Sequence, residues 1–201
     1  RPDDDRWTAF VGGTRMAFIS VQADEAEYYT KIESKQEQTE LAQSLPSVGD
    51  SSKSNKREAE TVARLVHTLC QLHSRSGIPF SPCKQIGIIV PFRAQIAMIR
   101  KALAERHIPD TADITIDTVE RYQGSQRDII IFSTTVSHPY QLSILSEPIM
   151  TDGREIDRKL NVALTRARKQ FFMTGNETLL RNCTAYREFL DFLSKEQILR
   201  L

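Results

Sequence analysis

The sequence predicts an α/β fold, a doubly wound and mostly parallel sheet with helices on both faces. Short, nearly continuous apolar segments alternate along the chain with longer segments whose apolar residues recur at helical spacing. Apolar runs of this length are typical of strands in a parallel sheet that is covered on both sides. Their alternation with helical segments favours strand–helix–strand units in one domain.

The individual elements follow from these patterns. The predicted strands are Met16–Val21, Ile86–Val90, Ile114–Asp117, Ile129–Thr134 and Gln170–Thr174. Helices are predicted over Lys56–His73, Phe92–Glu105 and Tyr186–Leu193. The first helix has the clearest start, because Asn55 can cap it and Glu58, three residues later, completes a capping box.

Two polar stretches interrupt the alternation, residues 33–54 and residues 137–153. Both are predicted to be mobile loops, and the second is either a lid that faces a substrate or a disordered segment. The chain of 201 residues is otherwise predicted to be one domain, 1–201, taken from a larger protein.

Bulk properties exclude several classes of protein. Lys and Arg number 27 against 26 for Asp and Glu, so net charge gives no sign of nucleic-acid binding and any such contact depends on local arrangement. The three cysteines, Cys70, Cys83 and Cys183, lack metal-binding or disulfide spacing, and no metal site is expected. They fit a reducing compartment, so a cytoplasmic location is expected. No apolar run approaches the length of a membrane span.

The segment Lys159–Arg168 is the most informative for function, because it combines two arginines with small residues just before a strand-like run. Arginine keeps its charge at physiological pH and offers a planar set of donors that matches phosphate oxygens. An arginine presented on such a helix is therefore a candidate for stabilising the charge on a phosphoryl group during its transfer.

Three segments, in order, resemble motifs of one family. Lys159–Arg168 resembles motif VI of the superfamily 1 helicases, in particular the subfamily of the nonsense-mediated-decay RNA helicase and its DNA-acting relatives. Ile114–Ile131 resembles motif V with its extension, and Gln85–Gln95 resembles the strand, loop and helix that precede motif V. The resemblance implies a RecA-like fold, the second of two such domains in the family, without the phosphate-binding loop of the first.

The resemblance also implies a nucleotide-facing group of residues. Arg166 matches the motif VI arginine that reaches the γ-phosphate of ATP held on the partner domain, and it is the candidate catalytic residue. Gln123 and Gly124 match an element that links the nucleotide to the bound strand. Gln126 stands where relatives usually have a glutamate that accepts from the ribose hydroxyls, so an acceptor is kept but a charge is lost. Arg168, expected on the same helix as Arg166, is either a nucleotide contact or part of a structural ion pair.

A second group of residues is expected to face nucleic acid. Pro91, Phe92 and Gln95 open a helix directly after a strand, and Thr118 follows the next strand. Ligands of open α/β sheets lie beyond the carboxyl ends of the strands, where helix N-termini offer free N–H groups. In the family these loops contact the backbone of single-stranded nucleic acid, without reading its sequence. The structural alternative is that Phe92 belongs to the core and Gln95 is solvated.

The sequence contains neither a G-x-x-x-x-G-K-[ST] loop nor an acidic pair after a strand that could hold magnesium. We therefore expect the second motor domain of an ATP-dependent helicase, inactive alone, with ATP and Mg²⁺ held mainly by the first RecA-like domain of the same polypeptide. Its further partner is single-stranded DNA or RNA. Two alternatives stay open: a non-catalytic nucleotide- or nucleic-acid-binding module, and a component of a helicase–nuclease fusion.

Overall fold

The computed structural model describes residues 2–21, 53–122 and 125–201. Its strands are β1 (Met16–Ser20), β2 (Ile86–Val90), β3 (Thr115–Thr118), β4 (Arg127–Ser133), β5 (Pro148–Thr151), β6 (Arg154–Asp157), β7 (Ala167–Gly175) and β8 (Ile198–Arg200). Its helices are α1 (Pro2–Gly13), α2 (Lys56–Ser76), α3 (Pro82–Gln85), α4 (Arg93–Glu105), α5 (Leu142–Leu145), α6 (Arg158–Thr165), α7 (Glu177–Leu180) and α8 (Thr184–Phe192), with 3₁₀ turns at Pro139–Gln141 and Lys195–Gln197.

A six-stranded sheet in the order β3-β2-β4-β7-β1-β8 forms the centre, and each pairing within it is parallel. The predicted doubly wound α/β fold is confirmed. All five predicted strands and all three predicted helices are present, with ends that differ by at most three residues, and β2 has the predicted bounds. Helix α1 and strand β8 were not predicted, because α1 begins with Pro and three Asp residues and β8 is only three residues long.

The two faces of the sheet carry separate apolar cores. Helices α1, α2 and α4 cover one face, and α5, α6, α7 and α8 cover the other. Strand β4 supplies both cores by alternation, since Ile129 and Ile131 face the first and Ile130 and Phe132 face the second. This double burial explains why the central strands are continuous apolar runs. None of the described helices is both long and apolar enough to cross a membrane.

Residues 119–122 and 125–126 lie between β3 and β4, and Val119 and Tyr122 among them pack on the second face of the sheet, while residues 123 and 124 lie outside the described part. We call them the crossing segment. Tyr122 from this segment packs directly on Gly87 of β2, where an added Cβ atom would lie 1.9 Å from the tyrosine oxygen. Glycine at position 87 thus lets the segment lie flat on the sheet. Because β3 and β4 run in the same direction, the segment leads from the carboxyl edge of the sheet to its amino edge.

Residues 137–153 differ from the predicted loop, because they form a 3₁₀ turn, helix α5, and the first strand and turn of an antiparallel hairpin whose second strand, β6, follows directly. The Pro and Gly residues that suggested a loop have defined positions: Pro139 starts the 3₁₀ turn, and Asp152 and Gly153 form the hairpin turn with φ of 51° and 75°. The mobility of this stretch stays a prediction. Residues 33–52 of the other predicted loop lie outside the described residues.

Candidate nucleotide and nucleic-acid sites

Three of the residues predicted to face a nucleotide lie together at the amino ends of β4 and β7. The backbone N–H of Arg127 donates to the carbonyl of Arg166 at 3.0 Å, which joins the starts of the two strands. Gln126 donates from its Nε2 to the carbonyl of Thr165 at 3.5 Å and accepts from Nε of Arg168 at 3.4 Å. Gln126, Arg166 and Arg168 therefore form one group. We call this the amino-edge site.

Arg166 follows the last turn of α6, where its N–H donates to the carbonyl of Ala163 at 3.3 Å. Its Nε is buried and has no hydrogen-bond partner among the described residues, and the guanidinium forms no ion pair there. A buried donor without a partner is uncommon in native proteins and calls for a reason. The described part of the chain thus leaves the donors of Arg166 available to an anion.

Asp157, which sequence reasoning missed, anchors the other end of α6. Its carboxylate accepts from the N–H groups of Leu160 and Glu147, each at 2.7 Å, and from Oγ of Ser146 at 2.8 Å. It thereby caps the helix and ties it to the chain just before β5, and its charge favours the helix N-terminus. The signal was present in the sequence, since Asp before a helix of this kind is a typical N-cap.

The residues predicted to face nucleic acid lie at the opposite, carboxyl edge. Val90 and Thr118 pair at the ends of β2 and β3, and Pro91 directly follows Val90. Pro91 and Thr118 therefore belong to neighbouring strand ends. Phe92 is only 5% exposed and belongs to the core, so its side chain matches the structural alternative. Its carbonyl accepts from the N–H of Gln95 at 3.1 Å as α4 begins. Pro91, the backbone at Phe92 and the first turn of α4 are what this edge presents. We call it the carboxyl-edge site.

Gln95 does not fit its predicted role as a nucleic-acid contact, nor the alternative that it is solvated, because its side chain is fully buried. Its Oε1 accepts from the backbone N–H of Asn55 at 2.8 Å, and its Nε2 donates to the carbonyl of Asn55 at 3.1 Å. A glutamine amide can donate and accept at once, so it satisfies both backbone groups of one residue. Gln95 joins the start of α4 to the start of α2.

Comparison with known proteins identifies the family that this chain matches and its relatives. A family described as an AAA domain matches residues 11–178, which include both edges of the sheet. A MOV-10 helicase of Gallus gallus is 33% identical over 71% of this chain and 15% of its own length. The DNA polymerase alpha-associated DNA helicase A of Saccharomyces cerevisiae is 34% identical over 51% and 14%. The DNA replication ATP-dependent helicase/nuclease DNA2 of Mus musculus is 31% identical over 69% and 12%.

The chain belongs to the superfamily 1 helicases. Within them it falls in the nonsense-mediated-decay-helicase-like subfamily, where it corresponds to the C-terminal RecA-like domain. The matched part of the chain spans about one seventh of the length of the relatives named above, at 15%, 14% and 12%.

The helicase motif VI departs from the prediction at Arg168, which lies in β7 and not on the same helix as Arg166. The carbonyl of Arg166 accepts from Arg127 of β4, so the chain leaves the helix at this point and enters the sheet. Arg168 contacts Gln126, whereas the neighbouring ion pair is made by Lys169 with Asp128 at 2.9 Å. The hydrogen bond from Lys169 is the main cause that lowers the pKa of Asp128.

Gln123 and Gly124 of helicase motif V lie outside the described residues, so their roles stay predictions. No group of three His, Cys, Asp or Glu residues within 2–21, 53–122 and 125–201 is placed to hold a metal ion. A cleft beside the amino-edge site is lined by Arg15, His73 and Lys169 as well as Arg168, which makes that side of the helicase domain basic.

Glu58 is a further residue, after Gln95 and Arg168, whose environment differs from the one that the sequence predicted. Half of the predicted capping box is present, since Oδ1 of Asn55 accepts from the N–H of Glu58 at 3.0 Å. The carboxylate does not return to Asn55 and instead points into the protein, where it is fully buried. Burial raises its pKa to about 7, against hydrogen bonds from Thr135, Ser133, Thr174 and Thr134 that lower it.

Proposed function

We propose that this chain is the second motor domain of an ATP-dependent helicase and that Arg166 is its arginine finger. One observation carries the proposal: Arg166 keeps a buried guanidinium nitrogen without a partner among the described residues, next to Gln126 at the amino edge. Arg166 as a whole is half-buried, but a buried donor atom without a partner is costly unless a ligand or partner uses it. The motif VI resemblance supports ATP as that ligand.

The amino-edge site fits a triphosphate by its donor set. Arg166 supplies N–H donors to γ-phosphate oxygens and stabilises the negative charge that develops on them during hydrolysis, while ATP itself is the source of the free energy. Gln126 offers a carbonyl oxygen to a ribose hydroxyl, once it gives up its 3.4 Å contact with Arg168. Arg168, released from Gln126, is then free to contact phosphate or the partner domain.

The carboxyl-edge site is proposed to follow the backbone of single-stranded DNA or RNA. The first turn of α4 presents backbone N–H groups, and the end of β2 presents the ring of Pro91, to a strand that lies across β2 and β3. Thr118 is itself buried, and its N–H donates to Asp117, so it lies under this surface at the end of β3. Backbone N–H groups bind phosphate and sugar without reading bases, as a translocating enzyme requires.

The crossing segment supplies a physical connection between the two sites. It begins directly after Thr118 at the carboxyl edge and ends at Gln126 at the amino edge. Movement of Gln126 when nucleotide binds would therefore be passed along a segment that is packed on β2 through Tyr122. Closure and reopening of the two motor domains around ATP would then move the strand.

Mg²⁺ does not fit the described residues, which offer no acidic cluster, so we assign its ligands to the first RecA-like domain.

One observation favours a second function, a nucleotide- or nucleic-acid-binding module without hydrolysis. Gln126 lacks the charge of the glutamate that the family pattern carries, which weakens a bond to ribose.

The test is the steady-state ATPase of the full-length helicase with and without single-stranded DNA or RNA. We expect stimulation by one of the strands and a loss of kcat of ~10³-fold or more in Arg166→Ala, with nucleotide affinity little changed. Arg187→Ala, an exposed arginine on α8, is the matched control and should hydrolyse normally. A parent without strand-stimulated hydrolysis, or an Arg166→Ala enzyme that turns over normally, would favour the binding module.

A further inference from the structure

A buried polar network lies directly beneath the carboxyl-edge site. Glu58 of α2 accepts from Oγ of Ser133 and from Oγ1 of Thr174, both at 2.8 Å, and from the backbone N–H of Thr135 at 3.0 Å to each carboxylate oxygen. Ser133 ends β4, and Thr174 lies near the end of β7. One carboxylate thus holds the ends of two central strands to the start of one helix. We call this network the Glu58 brace.

The brace has an unusual composition for a structural element. Glu58 is fully buried, and among the described residues only neutral groups, hydroxyls and backbone N–H groups, act on its pKa. A carboxylate without a cation is an expensive way to join three elements, since an apolar contact would serve stability better. What a carboxylate offers instead is two oxygens that accept from several donors and fix their directions.

The Glu58 carboxylate fixes the backbone conformation of Thr135. Thr135 has φ of 63°, in the left-handed region that a β-branched residue adopts only under constraint. Its N–H points at both oxygens of Glu58, so the carboxylate provides that constraint. Backbone strain of this kind is found most often where geometry serves function.

The brace also reaches the start of α4. Nε2 of Gln95 lies 3.5 Å from Oγ of Ser133, at the limit of a hydrogen bond, and the same amide is bound to both backbone groups of Asn55. Asn55 caps α2 through the N–H of Glu58. The first turns of α2 and α4 and the end of β4 are therefore joined by adjoining side chains, and the first turn of α4 is what the carboxyl-edge site presents.

We propose that Glu58 is a positioning residue for single-stranded nucleic acid: by holding Ser133, Thr135 and, through Gln95, the start of α4, it keeps the carboxyl edge in its strand-binding geometry. The inference rests on the proposed function, because it assumes that a strand binds at this edge. Glu58 does not touch the strand, and the amino-edge site is not part of the brace.

The variant Glu58→Gln tests it in the full-length helicase. Thr135 N lies 3.0 Å from both oxygens, so an amide nitrogen in either position meets another donor. We expect the concentration of oligonucleotide that half-activates the ATPase to rise by about tenfold or more, since a hydrogen bond to a charged acceptor is lost. The kcat at saturating strand should change by less than about threefold, because Arg166 is untouched. Glu60→Gln, an exposed position on the same helix, is the control.

A rescue separates positioning of Thr135 from general loss of stability. Glycine adopts positive φ without strain, so Thr135→Gly lowers the need for the constraint that Glu58 provides. The effect of Glu58→Gln on half-activation should accordingly be smaller when Thr135 is already Gly. An equal effect in both backgrounds would contradict the proposed role.

The outcomes distinguish this inference from the proposed function. A wild-type enzyme without strand-stimulated ATPase contradicts the proposed function itself and the inference with it. A wild-type enzyme that is stimulated, beside a Glu58→Gln enzyme with unchanged half-activation, overturns the inference alone. If Glu58→Gln does not fold, Ser133→Ala decides instead, because it removes one hydrogen bond to Glu58 and the contact with Gln95. Unchanged half-activation in Ser133→Ala would likewise overturn the inference.

Discussion

Arg166 and Glu58 lie at opposite edges of the parallel sheet, and they differ in whether their buried polar atoms have hydrogen-bond partners. Arg166 has a buried Nε without a partner among the described residues, so part of its hydrogen-bonding capacity is left for another molecule. Glu58 is buried with both oxygens occupied by groups of its own chain. The first arrangement suits a residue that acts on a ligand, and the second suits a residue that shapes its surroundings.

Glu58 makes the stability of the chain depend on pH. Its pKa of about 7 in the folded protein exceeds the ordinary value of 4.5, so the folded state holds the proton more tightly than the unfolded state. This stabilisation is complete below about pH 4.5 and is lost as pH rises through about 7. As pH rises through this range, the free energy of unfolding of wild type should fall by on the order of 3 kcal/mol relative to that of Glu58→Gln. Urea unfolding at pH 5, 6, 7 and 8 measures it, and a constant difference would contradict it.

Sequence reasoning at the residue scale succeeded where a motif is local and failed where partners are distant. Arg166, Gln126 and Arg168 belong to two matched segments, and the structure places them side by side at the amino ends of β4 and β7, while their roles stay predictions. Glu58 was assigned to a capping box because its partners, Ser133 and Thr174, are 75 and 116 residues further along the chain. Only the parallel pairing of β4 and β7 brings those two side chains together.

Helix α6 is the element that presents Arg166, and its position depends on Asp157. Replacement by Ala would remove the cap at Leu160 and leave the partly buried N–H of Glu147 without its acceptor. We expect Asp157→Ala to lower the free energy of unfolding by about 2–4 kcal/mol. Ser146→Ala loses only one bond to the same carboxylate and should cost about 1 kcal/mol. Denaturant unfolding of both variants tests this, and equal losses would mean that the cap is unimportant.

The crossing segment depends on the absence of a side chain at Gly87. A methyl group there would lie 1.9 Å from the oxygen of Tyr122 and 2.7 Å from its Cζ, so the ring has to move. Gly87→Ala should therefore lower the free energy of unfolding by about 1–3 kcal/mol and displace the segment that joins the two sites. Gly13→Ala, where nothing lies within 4 Å, is the control. Thermal unfolding compares the two, and equal midpoints would show that the crossing segment adapts without cost.

At the element scale, elements that bury a whole face were predictable and short elements were not. Four of the five predicted strands, β1, β2, β4 and β7, contribute side chains to both cores, and this double burial leaves a clear apolar pattern in the sequence. The hairpin of β5 and β6 is largely exposed, and its two strands have four residues each. Little apolar burial selects it, so its sequence resembles that of a loop.

At the scale of the whole molecule, the sheet separates the proposed nucleotide site from the proposed nucleic-acid site. The separation arises because Gln126 and Arg166 precede β4 and β7, whereas Pro91 follows β2 and Thr118 ends β3, and these four strands are parallel. The sequence predicted the fold class and the subfamily. It did not predict which loops share an edge, since that depends on pairings between residues far apart in the chain.

The isolated chain should not hydrolyse ATP. It supplies an arginine but no phosphate-binding loop and, among its described residues, no acidic cluster for Mg²⁺. Phosphate release by the purified chain with saturating single-stranded DNA or RNA should stay at the background of Arg166→Ala. Hydrolysis that disappears in Arg166→Ala would show a complete active site within these 201 residues and contradict the two-domain account.

The most direct test of the central claim is the affinity of the full-length helicase for ADP with fluoroaluminate, a mimic of the phosphoryl group in transfer, compared with ADP alone. If Arg166 acts on the transferring phosphate, wild type should bind the mimic at least about 10²-fold more tightly than ADP, and Arg166→Ala should lose that difference while keeping its affinity for ADP. An Arg166→Ala enzyme that still prefers the mimic as wild type does would contradict the assignment of Arg166 as the finger.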